Sequence, residues 1–161
     1  NLDIALRLAD LLTKEGIKPI LTRSADNYVS LDERCDLANA LDADVFVSLH
    51  CNASPSANRR KGLETYYFHP RGEELAATMH QTLIGELGCQ DNGTRVARFV
   101  VVRKTAMPAV LVEMAYINHY EDEARLRNPD FRQSMAEALK EGILAYMNAH
   151  RLGPWSEQNR G

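Results

Sequence analysis

The sequence has little that would tie it to a membrane, to nucleic acid or to a disulfide scaffold. No apolar run reaches the roughly 20 residues that cross a bilayer, and no signal peptide is visible at its start. Three cysteines, Cys35, Cys51 and Cys89, are an odd number at no metal-like spacing, which argues against a disulfide framework and leaves the redox compartment open. A net charge of -3 with scattered basic residues provides no stripe for DNA or RNA. The one basic cluster, Arg59-Arg60-Lys61, lies between polar residues and Gly62, where a solvated loop is the simpler reading. Internal repeats and low-complexity blocks are absent.

What is present fits one globular domain. A chain of 161 residues buries roughly 70% of the surface its unfolded form would expose, so no staple is required. Hydrophobic residues make up 45% of it, which excludes disorder for most of the length. The domain is expected over residues 1–150, with a polar tail over 151–161 that contains the single Trp155. The start, Asn1-Leu2-Asp3-Ile4, opens inside a helical pattern, so the domain is expected to begin upstream of Asn1.

Leu2, Ala5, Leu6, Ala9 and Leu12 recur at helical spacing up to Gly16, predicting a helix over residues 1–15. Ile17 to Arg23 reads as a strand, pushed to the sheet edge by Pro19. Ser30 with Glu33 forms a capping box for a helix reaching about residue 42. Gly62 to Phe68 reads as a strand rich in Thr and Tyr, and Gly72 to Leu87 as an amphipathic helix stopped by Gly88. Phe99 to Val102 is expected to be a short strand, and Asn128-Pro129 starts a final helix. Alternating strands and helices predict an α/β fold: a mostly parallel twisted sheet with helices on both faces.

Two apolar strands end on residues that can do chemistry. Asp44-Val45-Phe46-Val47-Ser48-Leu49 runs into His50, and Ala109-Val110-Leu111-Val112 into Glu113. Continuous apolar runs mark strands buried on both faces, and such sheets bind ligands beyond the carboxyl ends of their strands. His50 and Glu113 would then share a crevice, as a metal ligand beside a general base. The bland alternatives are a structural histidine bonded to a loop carbonyl and a glutamate paired with Arg103 or Lys104. His80 and His150 read as solvated or helix-capping, and His69 and His119 as residues of the crevice rim.

Over Ser48-Leu49-His50-Cys51-Asn52-Ala53 and Met107-Pro108-Ala109-Val110-Leu111-Val112-Glu113-Met114-Ala115-Tyr116-Ile117-Asn118, the chain closely resembles the zinc-dependent N-acetylmuramoyl-L-alanine amidases of bacterial cell walls. Asn1 to Leu12, Leu21-Thr22-Arg23, Ser30 to Asn39 and Gly62-Leu63-Glu64-Thr65-Tyr66-Tyr67 extend the likeness to about residues 1–150. In that family two histidines and a glutamate hold zinc, and a second glutamate assists catalysis. The resemblance implies that His50 is the second histidine ligand and Glu113 the catalytic glutamate. It puts the first histidine, in an Asp-Pro-Gly-His-Gly-Gly motif, and the ligand glutamate upstream of Asn1, and no Asp-Pro-Gly-His stretch occurs in the 161 residues.

Also implied are a zinc cofactor, a peptidoglycan or muropeptide substrate cut between N-acetylmuramic acid and L-alanine, extracytoplasmic action as an autolysin, and a monomer. Some members carry an inserted helix that plugs the site. The short Phe68 to Arg95 segment implies the form without it. Two rivals stand beside this reading: a pseudoenzyme of the same fold that binds peptidoglycan or a partner, and a zinc carboxypeptidase-like hydrolase, which would need an arginine to clamp a substrate carboxylate.

Overall fold

A computed structural model describes residues 1–152. Four strands, β1 (Phe46–Asn52), β2 (Leu63–Tyr67), β3 (Asp91–Val96) and β4 (Ala109–Tyr116), form one sheet in the order β1-β4-β2-β3. β1 pairs with β4 and β2 with β3 in parallel, while β2 and β4 run antiparallel, so the sheet is mixed. Every residue of β4 is buried, as expected of a central strand covered on both sides.

The helices divide between the two faces. On one lie α1 (Leu2–Lys14), α3 (Glu73–Leu87) and α6 (Pro129–Ala149). Ile4 and Leu8, Leu75, Met79 and Leu83, and Met135 and Leu139 pack there on Val110, Val112 and Met114. Fully burying a side chain of this size stabilises by about 1.5–3 kcal/mol. On the other face α2 (Leu31–Ala40) and α4 (Val100–Arg103) cover Phe46, Ala109 and Leu111 with Cys35, Ala38, Val101 and Val102. Helices on both sides are therefore as expected, and α3 belongs to the layer opposite the Leu111 face.

The capping box of α2 is formed: Glu33 N–H donates to Ser30 Oγ at 3.2 Å, and Ser30 N–H to Glu33 Oε2 at 2.7 Å. Asn128 caps α6, its side chain accepting from Asp130 N–H, with Pro129 at the first helical position. Where the sequence reading fails, competing contacts explain it. Ile17 to Arg23 is not a strand, and Ile20 is half exposed. Phe99 to Val102 is not a strand either: Phe99 precedes α4, whose Val101 and Val102 are both buried against the α2 layer. That tertiary demand overrides the β-propensity of a Phe-Val-Val-Val run. β3 went unread because Asp, Asn and Gly are poor strand formers, and its pairing partner β2 supplies the order. α5 (Tyr120–Arg127) also went unread, since it is charged on most sides.

Cys35, Cys51 and Cys89 are free thiols. Residues 153–161, most of the expected tail, lie outside the described residues, whereas Leu152 packs against the main core.

Candidate active site

The register of the sheet brings the site together. His50 on β1 is paired with Glu113 on β4, and Glu113 is paired with Glu64 on β2. Paired residues project from the same face of a sheet, so His50, Glu113 and Glu64 form one row across three strands. It is the face that carries Leu111 and α2 lower down. Further along, Asn52 is paired with Tyr116, three residues along β4 matching two along β1. This irregularity adds a residue to β4 and turns Tyr116 onto the face of Glu113.

The row is largely closed to solvent. Glu64 is fully buried and accepts from Tyr116 Oη at 2.9 Å and from Tyr66 Oη on its other oxygen. Burial, then the Glu64 carboxylate, raises both phenols, Tyr116 to about 12. Glu113 is 9% exposed, and its Oε2 is the one buried side-chain polar atom without a hydrogen-bond partner among the described residues. Burial and, after it, the charge of Glu64 push the Glu113 carboxyl up to about 7. The bland pairing is not made: Glu113 Oε2 has no partner, neither Arg103 nor Lys104 is among the charges acting on its carboxyl, and Lys104 binds Asp32 at 2.7 Å.

His50 has Nε2 3.1 Å from Ser48 Oγ. Burial, then the charge of Arg34, hold its pKa below the usual imidazole value, which keeps the ring neutral and able to act as a donor to a metal. Among the described residues no group of three or more His, Cys, Asp or Glu is arranged to hold a metal ion. His50 and Glu113 stand as a pair across β1 and β4, outside any such group.

The loops around the row are pinned from below. Asp122 of α5 is buried, and its Oδ2 accepts from Gly62 N–H and from Tyr116 N–H, both at 2.8 Å. Asn118 binds Ser54 twice, accepting from its N–H at 3.0 Å and donating to its carbonyl at 2.7 Å. His80, His69 and His119 do different work from that expected, whereas His150 caps the end of α6 as expected. His80 is buried, with Nδ1 3.0 Å from Thr65 Oγ1 and Nε2 2.8 Å from Asp91 Oδ1, tying α3 to β2 and β3. His69 anchors the Arg103 carbonyl, and the buried His119 caps α5, so neither lines the rim. His150 follows α6 and meets Glu74 at 3.2 Å. Glu64 was missed by sequence reading; its alternation with Tyr66 in Glu64-Thr65-Tyr66 is the available signal that both share a face.

Residues 1–145 match the family model described as N-acetylmuramoyl-L-alanine amidase. The chain is 37% identical over 150 residues to N-acetylmuramoyl-L-alanine amidase LytC of Bacillus subtilis, covering 91% of this chain and 30% of that protein. It is 34% identical to the probable cell wall amidase LytH of Staphylococcus epidermidis, covering 92% of this chain and 49% of that one. It therefore spans 30% to 49% of the length of these two relatives. Among solved structures it is similar to the catalytic domain of CwlV, an N-acetylmuramoyl-L-alanine amidase from Bacillus (Paenibacillus) polymyxa var. colistinus. That match has a TM-score of 0.88 and 36% identity, and covers 91% of this chain and 82% of that one.

Proposed function

The chain belongs to the N-acetylmuramoyl-L-alanine amidase family, and from that membership we propose that it is the catalytic region of a zinc hydrolase cutting the amide between the lactyl group of N-acetylmuramic acid and the L-alanine of the peptide stem. The observation that carries the reading is the pairing of His50 with a buried Glu113 whose Oε2 has no partner. An unsatisfied buried carboxyl oxygen costs about 1–3 kcal/mol, and such a cost recurs at catalytic positions.

His50 is proposed as a zinc ligand and Glu113 as the proton carrier. The donor chemistry fits zinc in part, since a neutral imidazole is a suitable ligand and the described residues hold no group of three or more donors around it. The remaining histidine and glutamate are placed before Asn1. When bound, zinc supplies Lewis acidity toward the scissile carbonyl and toward water. Glu113, held near neutrality, takes the proton of the attacking water and passes it to the departing amine nitrogen. The bulge at Met114-Ala115 and the Asp122 pins hold the end of β4 so that Glu113 keeps its place beside His50.

Extracytoplasmic action as a monomeric autolysin completes the reading. The cell-wall names of the relatives support the location, and no helix among the described residues is long and apolar enough to cross a membrane. A second reading is a binding module of the same fold that does not cut. One experiment separates the two: the full-length protein is analysed for zinc and incubated with purified muropeptides. Zinc near one per chain with release of the stem peptide supports the hydrolase, and binding without release supports the module.

A further inference from the structure

Glu64 and Glu113 are paired carboxylates on one face, and their surroundings differ completely. Both oxygens of Glu64 accept a tyrosine hydroxyl, one from Tyr66 and one from Tyr116. Glu113 Oε2 accepts nothing, although it is equally shut off from solvent. The nearby Ser48 hydroxyl is engaged with His50. A buried hydroxyl without a carboxylate partner would seek another acceptor, and the paired carboxylate one strand away is the next candidate.

Resting on the reading of Glu113 as proton carrier, we propose that Glu64 is a positioning residue for it: by taking the hydroxyls of Tyr66 and Tyr116, Glu64 keeps both donors off Glu113 and leaves Oε2 free to receive a proton. The bulge in β4 is part of the device, since it brings the Tyr116 hydroxyl onto this face. A hydroxyl bonded to Glu113 would stabilise the carboxylate and block the approach of water, so the same donor is harmless on Glu64 and harmful one strand away.

The test uses the zinc-loaded full-length protein and purified muropeptides. Glu64→Leu releases both hydroxyls, and kcat is expected to fall at least about tenfold with KM unchanged. The triple variant Glu64→Leu, Tyr66→Phe, Tyr116→Phe removes donors and acceptor together, a replacement that buried sites tolerate. It is expected to regain most of the lost kcat and to melt close to wild type. A crystal structure of Glu64→Leu should show a tyrosine hydroxyl within hydrogen-bond distance of Glu113 Oε2. Wild-type kcat in Glu64→Leu overturns the proposal. So does a triple variant that melts normally yet stays slow, or a crystal structure in which neither hydroxyl has moved to Glu113. Should Glu64→Leu not fold, Glu64→Gln keeps one acceptor oxygen, and recovery of kcat on adding Tyr66→Phe decides in the same way. A wild-type protein that carries zinc and cuts nothing defeats the hydrolase reading instead, before any variant is compared.

Discussion

Glu113 and His50 hold paired positions on the parallel strands β4 and β1, so a carboxyl raised to about 7 stands beside an imidazole kept neutral. Each departs from its ordinary value mainly because it is buried. This arrangement yields a pH signature in stability. The folded pKa of Glu113 lies above the unfolded value of 4.5, so its contribution is fully present below that value and is lost as pH rises through about 7. Thermal melts of wild type and Glu113→Gln between those two values should therefore diverge as pH rises, the variant becoming relatively more stable. Parallel curves would mean that Glu113 titrates normally.

Asp122 is expected to matter as much for shape as for charge. Its Oδ2 alone satisfies the N–H groups of Gly62 and Tyr116, at the start of β2 and the end of β4. Asp122→Ala leaves both donors buried without a partner and should cost about 2–5 kcal/mol in denaturant titration. Asp122→Asn, which keeps an acceptor oxygen, should cost clearly less. Equal losses for the two would assign the effect to packing or charge.

Gly62 precedes β2 at φ +99, and a Cβ there would stand 2.2 Å from the Gln90 carbonyl oxygen. Gly62→Ala is accordingly expected to destabilise by at least about 1–3 kcal/mol, because both the backbone angle and the backbone neighbour oppose it. An unchanged unfolding midpoint would show that the loop moves aside freely.

His80 offers a test of the buried tie between layers. His80→Leu removes the partner of both Thr65 and Asp91 and should lower stability by about 1–3 kcal/mol, with faster amide exchange along β3. A solvated histidine would give neither effect.

Much of this was legible in the sequence, for identifiable reasons. Strand β4 was readable because burial on both faces demands a continuous apolar run. β1 was readable from a similar run, although it is the edge strand of this sheet with only Phe46 and Ser48 buried. His50 and Glu113 stood out as the polar residues that follow these runs. Helices α1, α2, α3 and α6 were readable from apolar spacing and from the caps at Ser30, Gly88 and Asn128. Glu64 could not be placed, because its role follows from an antiparallel register with β4 that no local pattern encodes. His80 and His119 were misjudged because their partners, Thr65, Asp91 and the Glu121 N–H, become neighbours only through the fold or a cap.

The most direct measurement for the central claim compares wild type with Glu113→Gln and His50→Ala in the full-length protein, assaying zinc content and stem-peptide release from purified muropeptides together. Glu113→Gln should keep its zinc and its fold and lose about 10²- to 10⁴-fold in rate. His50→Ala should lose zinc and activity at once, because one of the three proposed ligands is gone. A Glu113→Gln protein that cuts as fast as wild type, or a His50→Ala protein that retains full zinc, would contradict the account.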